Sequence, residues 1–76
     1  MDVTLPTLLF WQNGNDFYGS HQGVRFYIQP KDNLFQVEVW RGLLNKQHST
    51  IEERADFPLN EEGLNALKAW IATLSP

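Results

Sequence analysis

The sequence predicts a small α+β domain: an antiparallel β-sheet, a meander of about four to five strands, with one C-terminal α-helix packed on one face. Three observations carry this. In "VRFYIQ" and "LFQVEVWR" apolar and polar residues alternate with period two, the pattern of half-buried strands. Between them "PKDN" is turn chemistry: Pro30 presets its own φ, and Asp32 and Asn33 tolerate left-handed geometry. Near the C-terminus Leu64, Leu67, Ile71 and Leu74 recur at helical spacing and form one stripe. A chain of 76 residues makes one domain, 1–76. So short a domain is marginal unless its core is dense, and the 13% aromatic content supplies bulk for that.

Each element can be taken in order. The apolar run "LLFWQ", 8–12, reads as a short strand, and Asn13-Gly14 after it as a hairpin turn. A second short strand covers 16–20. Gly19 and Gly23 then bracket "SHQ", a bend into the strand that starts at Val24. With a four-residue loop Gln29 faces Leu34, and Ile28–Phe35, Phe26–Val37, Val24–Val39 and Arg25–Glu38 follow. A one-residue slip would put apolar side chains on the polar face, so the pattern disfavours it. A two-residue slip keeps both faces and stays open. Residues 43–48, "LLNKQH", read as a loop. For 49–57 the expectation is an edge strand with Ile51, Ala55 and Phe57 on one face. Glu53 falls on that face too, an inward charge that discourages edge-to-edge association. The competing reading is a short helix with Thr50 and Glu53 as a capping box. The final helix has Asn60 as N-cap, with Glu61 and Glu62 in the first turn where the helix dipole favours them. Trp70 lies at the edge of its apolar stripe. Gly63 costs about 1 kcal/mol against alanine and sits on the buried side, where it lets the helix approach the sheet closely. The helix ends before Pro76.

Catalytic and metal chemistry find little support. The chain has no cysteine, hence no disulfide and no thiolate metal site. His21 and His48 are far apart and neither has a short-spaced partner, so no metal site is expected. A triad could be written from Ser20, His21 and Asp16, or around His48 and Ser49. Adjacent residues on a strand face opposite ways, however, and no nucleophile elbow is present. Glu52, Glu53, Asp56, Glu61 and Glu62 read as solvated charges. Gly14, Gly19 and Gly23 are spaced as turn glycines and not as a phosphate loop, so no cofactor is implied. The expectation is therefore a non-enzyme with no catalytic residues; a small hydrolase using His21 or His48 is the remote alternative.

A net charge of −3 with interspersed signs argues against a polyanion binder. No apolar run approaches the roughly 20 residues that span a bilayer, and the N-terminal one is too short for a signal-peptide core. No membrane association and a cytoplasmic location are expected.

One feature of the hairpin points to function. The face opposite the predicted core carries Arg25, Tyr27, Gln36, Glu38 and Trp40, with Leu34 nearby. Tyrosine and tryptophan combine large apolar area with a polar handle, which suits interfaces. The sequence thus predicts a small interaction module, self-associating as a homodimer or binding a protein partner through these five residues. Nucleic-acid or small-ligand binding on the same face is the alternative. Trp40 is expected to be at least partly buried, under the segment Leu8 to Trp11 folded across this face or under a second chain.

Overall fold

A computed structural model describes residues 5–41 and 51–74. In chain order these form α1 (Leu8–Gln12), β1 (Phe17–His21), β2 (Val24–Lys31), β3 (Leu34–Arg41), β4 (Glu53–Pro58) and α2 (Glu61–Ala72). The four strands make an antiparallel meander in the order β1-β2-β3-β4. The predicted α+β architecture, with a C-terminal helix on one sheet face, is what the chain adopts. Residues 43–50, with the predicted loop, the start of the 49–57 segment, Thr50, His48 and Ser49, lie outside the described residues.

The core is on the helix side of the sheet. Val24, Phe26 and Ile28 of β2 and Phe35, Val37 and Val39 of β3 all point there and are buried. Leu64, Leu67 and Ile71 of α2 seal them, as the helical spacing predicts, with Leu74 packed at the margin. Trp70 leans on Phe57 at a ring distance of 5.9 Å. Asn60 caps α2 by accepting a hydrogen bond from the Gly63 amide at 2.7 Å. Gly63 is also needed for space: a Cβ there would lie 1.6 Å from the Pro58 carbonyl oxygen. Gly19 plays the same part in β1, where a Cβ would sit 2.6 Å from the Phe26 ring.

The first element departs from expectation. Residues 8–12 are helical, and so the sheet has four strands. A five-residue apolar run does not distinguish strand from buried helix by periodicity. As a helix it turns Trp11 fully inward, where the indole meets Phe35, Phe17 and Phe10 edge-on at 5.5, 6.0 and 5.1 Å. The indole N–H is satisfied by the Pro6 carbonyl at 3.3 Å. Asn13-Gly14, expected as a hairpin turn, ends this helix instead. Gly14, at φ +85°, donates to the Trp11 carbonyl, and Asn13 to that of Leu9. A left-handed glycine serves a helix C-terminus as well as a hairpin. Its packing also places α1 on the helix side, so Leu8 to Trp11 do not cover the opposite face.

The central hairpin takes the register shifted by two residues. Lys31 faces Leu34, Pro30 faces Phe35, Ile28 faces Val37, Phe26 faces Val39 and Arg25 faces Trp40. The turn is Asp32-Asn33 alone, with both residues left-handed at φ 55° and 62°. That is the two-residue geometry matching the strand twist. Pro30 thus stands inside a strand, but past the end of β1 at Phe17, which pairs with Ile28. It takes no hydrogen bond from that ladder. The predicted bend at "SHQ" is a second such hairpin: β1 runs to His21, and Gln22-Gly23 turns at φ 51° and 85°.

The edge-strand reading of the 49–57 segment holds for the described part, β4. Glu53 does share the helix-side face, opposite Val39. Its charge is met there by Arg41, whose guanidinium lies 3.1 Å from Glu53 and 2.6 Å from Glu52. These hydrogen bonds, Glu52's first, hold Arg41 more firmly protonated than an ordinary arginine.

Candidate functional site

The opposite, outer face is built by the alternate residues of the same strands. Pairing aligns them in rows across the sheet. One row runs Tyr18, Tyr27, Glu38, Arg54; the next is Gln29, Gln36, Asp56; on the other side lies Ser20, Arg25, Trp40. Three of the five residues predicted from sequence, Tyr27, Gln36 and Glu38, line one open depression of about 300 Å³. Gln29, Arg54 and Asp56 complete its polar wall. Arg25 sits one row away, beside Trp40.

Tyr27 is the organising side chain. Its hydroxyl hydrogen-bonds Asp16 at 2.7 Å and Gln29 at 3.2 Å, and its ring lies against Tyr18, tilted by 37° with centroids 4.5 Å apart. Loss of solvent, reinforced by the Asp16 hydrogen bond and charge, pushes the Tyr27 phenol up to about 12. It therefore stays neutral through the physiological range. Tyr18 is 61% exposed, one of the two large apolar side chains left most open among the described residues. Sequence reasoning missed it, because its cross-strand partner depends on the β1–β2 register and β1 was weakly signalled. Glu38 meets the Arg54 guanidinium at 3.2 Å, a solvent-exposed pair of the kind that adds little stability.

Trp40 is 3% exposed. The expected burial is present within a single chain, and Leu8 to Trp11 do not provide it, since they pack on the helix side. Its ring is thus closed off and offers no contact surface.

The residues of the hypothetical triad are not brought together. Ser20 faces outward with Arg25, whereas His21 pairs with Val24 and faces the helix side. Among the described residues no group of three or more metal-ligating side chains occurs, and no polar or charged residue is buried. No helix among them is long and apolar enough to cross a membrane. Comparison with known proteins finds no match among family models, curated proteins or solved structures.

Proposed function

We propose that this chain is a small non-enzymatic interaction module that takes a segment of a protein partner on the outer face of its sheet. The observation that supports this reading best is the Tyr18–Tyr27 ring pair beside the polar depression. One side of the sheet is closed by two helices, and on the other two aromatic rings lie in line with a cross-strand charged pair. The rings offer area at low entropic cost. Glu38, Arg54, Asp56, Gln29 and Gln36 offer hydrogen bonds to a peptide. Of the residues predicted from sequence, Arg25, Tyr27, Gln36 and Glu38 keep a contact role; Trp40 is buried and does not. Tyr18 and Arg54 join them.

The outer face carries Arg25, Lys31 and Arg54 against Asp16, Glu38 and Asp56. This balance does not favour a phosphate backbone. The mixed signs suit a polypeptide.

Peptides selected from a random library on the immobilised protein provide the test. Bound peptides should shift the backbone amide resonances of Tyr18, Tyr27, Gln36 and Glu38, and Tyr27→Ala should weaken them by about tenfold or more, as for an aromatic hot spot. Ligands that map to the helix side, or that ignore Tyr27→Ala, would overturn the reading. So would substrate turnover abolished by His21→Ala or His48→Ala, or a steeply salt-dependent affinity for single-stranded nucleic acid.

A further inference from the structure

The two edges of the sheet are defended differently. In the β3–β4 ladder Leu59 donates to the Asn33 carbonyl, so the odd-numbered residues of β4 turn their backbone groups inward. Its free edge is then presented by Arg54, Asp56 and Pro58. Two charges and a proline without a donor are the usual guards against pairing with another strand. At the other edge, the two-residue turn makes His21 and Val24 a bonded pair, and with them Gly19–Phe26 and Phe17–Ile28. Among the described residues β1 is paired on one side only, and its other edge is therefore presented by Tyr18 and Ser20. Neither is charged or proline, and both are exposed. Two large apolar side chains are the most exposed among the described residues. Tyr18 is on this strand, and Leu9 is on α1, the helix that packs on Phe17 through Phe10 and Trp11.

We infer that a second copy of this chain pairs antiparallel with β1, the two-fold axis passing beside Gly19, so that the two sheets continue into one. The strand is self-complementary in this register. Gly19 meets Gly19 of the second copy at the axis, where the chains come closest and no side chain stands. Tyr18 and Ser20 exchange N–H···O=C bonds with Ser20 and Tyr18 of the second copy. Phe17 lies opposite His21, and Asp16 opposite Gln22, so no like charges meet. The pairing would also bring the two Tyr18–Tyr27 ring pairs together in one aromatic strip on the outer face. Five residues of edge bury less than the roughly 1,200 Å² of stable interfaces, so the association is weak and concentration-dependent.

Sedimentation equilibrium up to about 1 mM protein should show a reversible dimer in the wild type. Ser20→Pro removes an N–H that points away from β2, so it leaves the β1–β2 ladder whole. It should weaken the dimer by about tenfold or more. Tyr18→Lys places a charge on the edge and also removes the ring that lies against Tyr27; it should do the same, and if Ser20→Pro disturbs folding by circular dichroism it decides the matter together with Gln36→Arg, which touches the face alone and should leave the dimer intact. A chain that stays monomeric to about 1 mM would overturn the inference. Dimerisation unchanged in both variants would do so too, as would a dimer lost in Gln36→Arg but kept in Ser20→Pro, since it would associate through the face. The inference stands apart from the partner reading: Gln36→Arg touches the face alone, and Ser20→Pro the edge alone.

Discussion

On the helix side of the sheet Val24, Phe26, Ile28, Phe35, Val37 and Val39 are sealed under α1 and α2. On the outer side, one residue out of phase along the same strands, Tyr18 stands 61% exposed and Tyr27 closes hydrogen bonds at the surface. Both faces contain aromatic rings, so residue type does not separate them. Cover does. Where helices lie over the strands, a ring gains dispersion contacts on all sides and becomes part of the fold. Where none does, it remains available to another molecule. Trp40 crosses this division, being buried on the outer side.

The largest effects should come from breaking the covered side. Trp11→Ala removes a fully buried ring that touches three others, and should cost about 3–5 kcal/mol; Leu67→Ala should cost about 2–5 kcal/mol. Chemical denaturation would measure both, and either loss is a large part of the stability of so small a domain. If Trp11→Ala melted like the wild type, α1 would not belong to the core.

Trp40→Ala sharpens the exception. It should also cost about 3 kcal/mol or more, as for a core aromatic, without altering the sedimentation behaviour. A dimer lost in this variant while stability is kept would make Trp40 a contact residue and return it to the partner surface.

A smaller effect is expected from pH. The folded Tyr27 phenol titrates at about 12 against 10.0 for an unperturbed tyrosine, so the folded state holds its proton more tightly. The corresponding stability is complete below pH 10 and falls as pH rises from 10 towards 12. Absorbance of the phenolate should show one tyrosine ionising late. Asp16→Asn should bring that step down, because it removes the charge and weakens the acceptor. An unchanged step would leave desolvation, with the smaller charge effects of Tyr18 and Glu38, as the cause.

The smallest changes should be at exposed positions. Glu62→Ala in the first turn of α2 should cost under about 1 kcal/mol. Arg54→Ala, which breaks the exposed pair with Glu38, should cost no more than about 1 kcal/mol.

Much of this was legible in the residues. Period-two alternation fixed which side chains of β2 and β3 share a face, because a strand offers only two directions. Helical spacing identified Leu64, Leu67 and Ile71, and Asn60 declared the start of α2 because an unpaired first-turn amide needs such an acceptor. The face bearing Tyr27, Gln36 and Glu38 was visible for the same reason as the core. The register was not. Moving the hairpin by two residues preserves every face, so only the left-handed pair Asp32-Asn33 distinguishes the alternatives. Nor was Tyr18, whose place beside Tyr27 follows from that kind of pairing at the other hairpin.

By itself, then, the sequence determined the local periodicities, the capped final helix and the division of the hairpin into two faces, all of which depend on residues close along the chain. The tertiary structure alone decided that Leu8–Gln12 is a helix, since a short apolar run takes whichever form lets Trp11 reach Phe17 and Phe35. It alone decided that Trp40, expected to be at least partly buried, is covered without Leu8 to Trp11 and that Tyr18 stays open, because exposure depends on what distant segments place over a side chain.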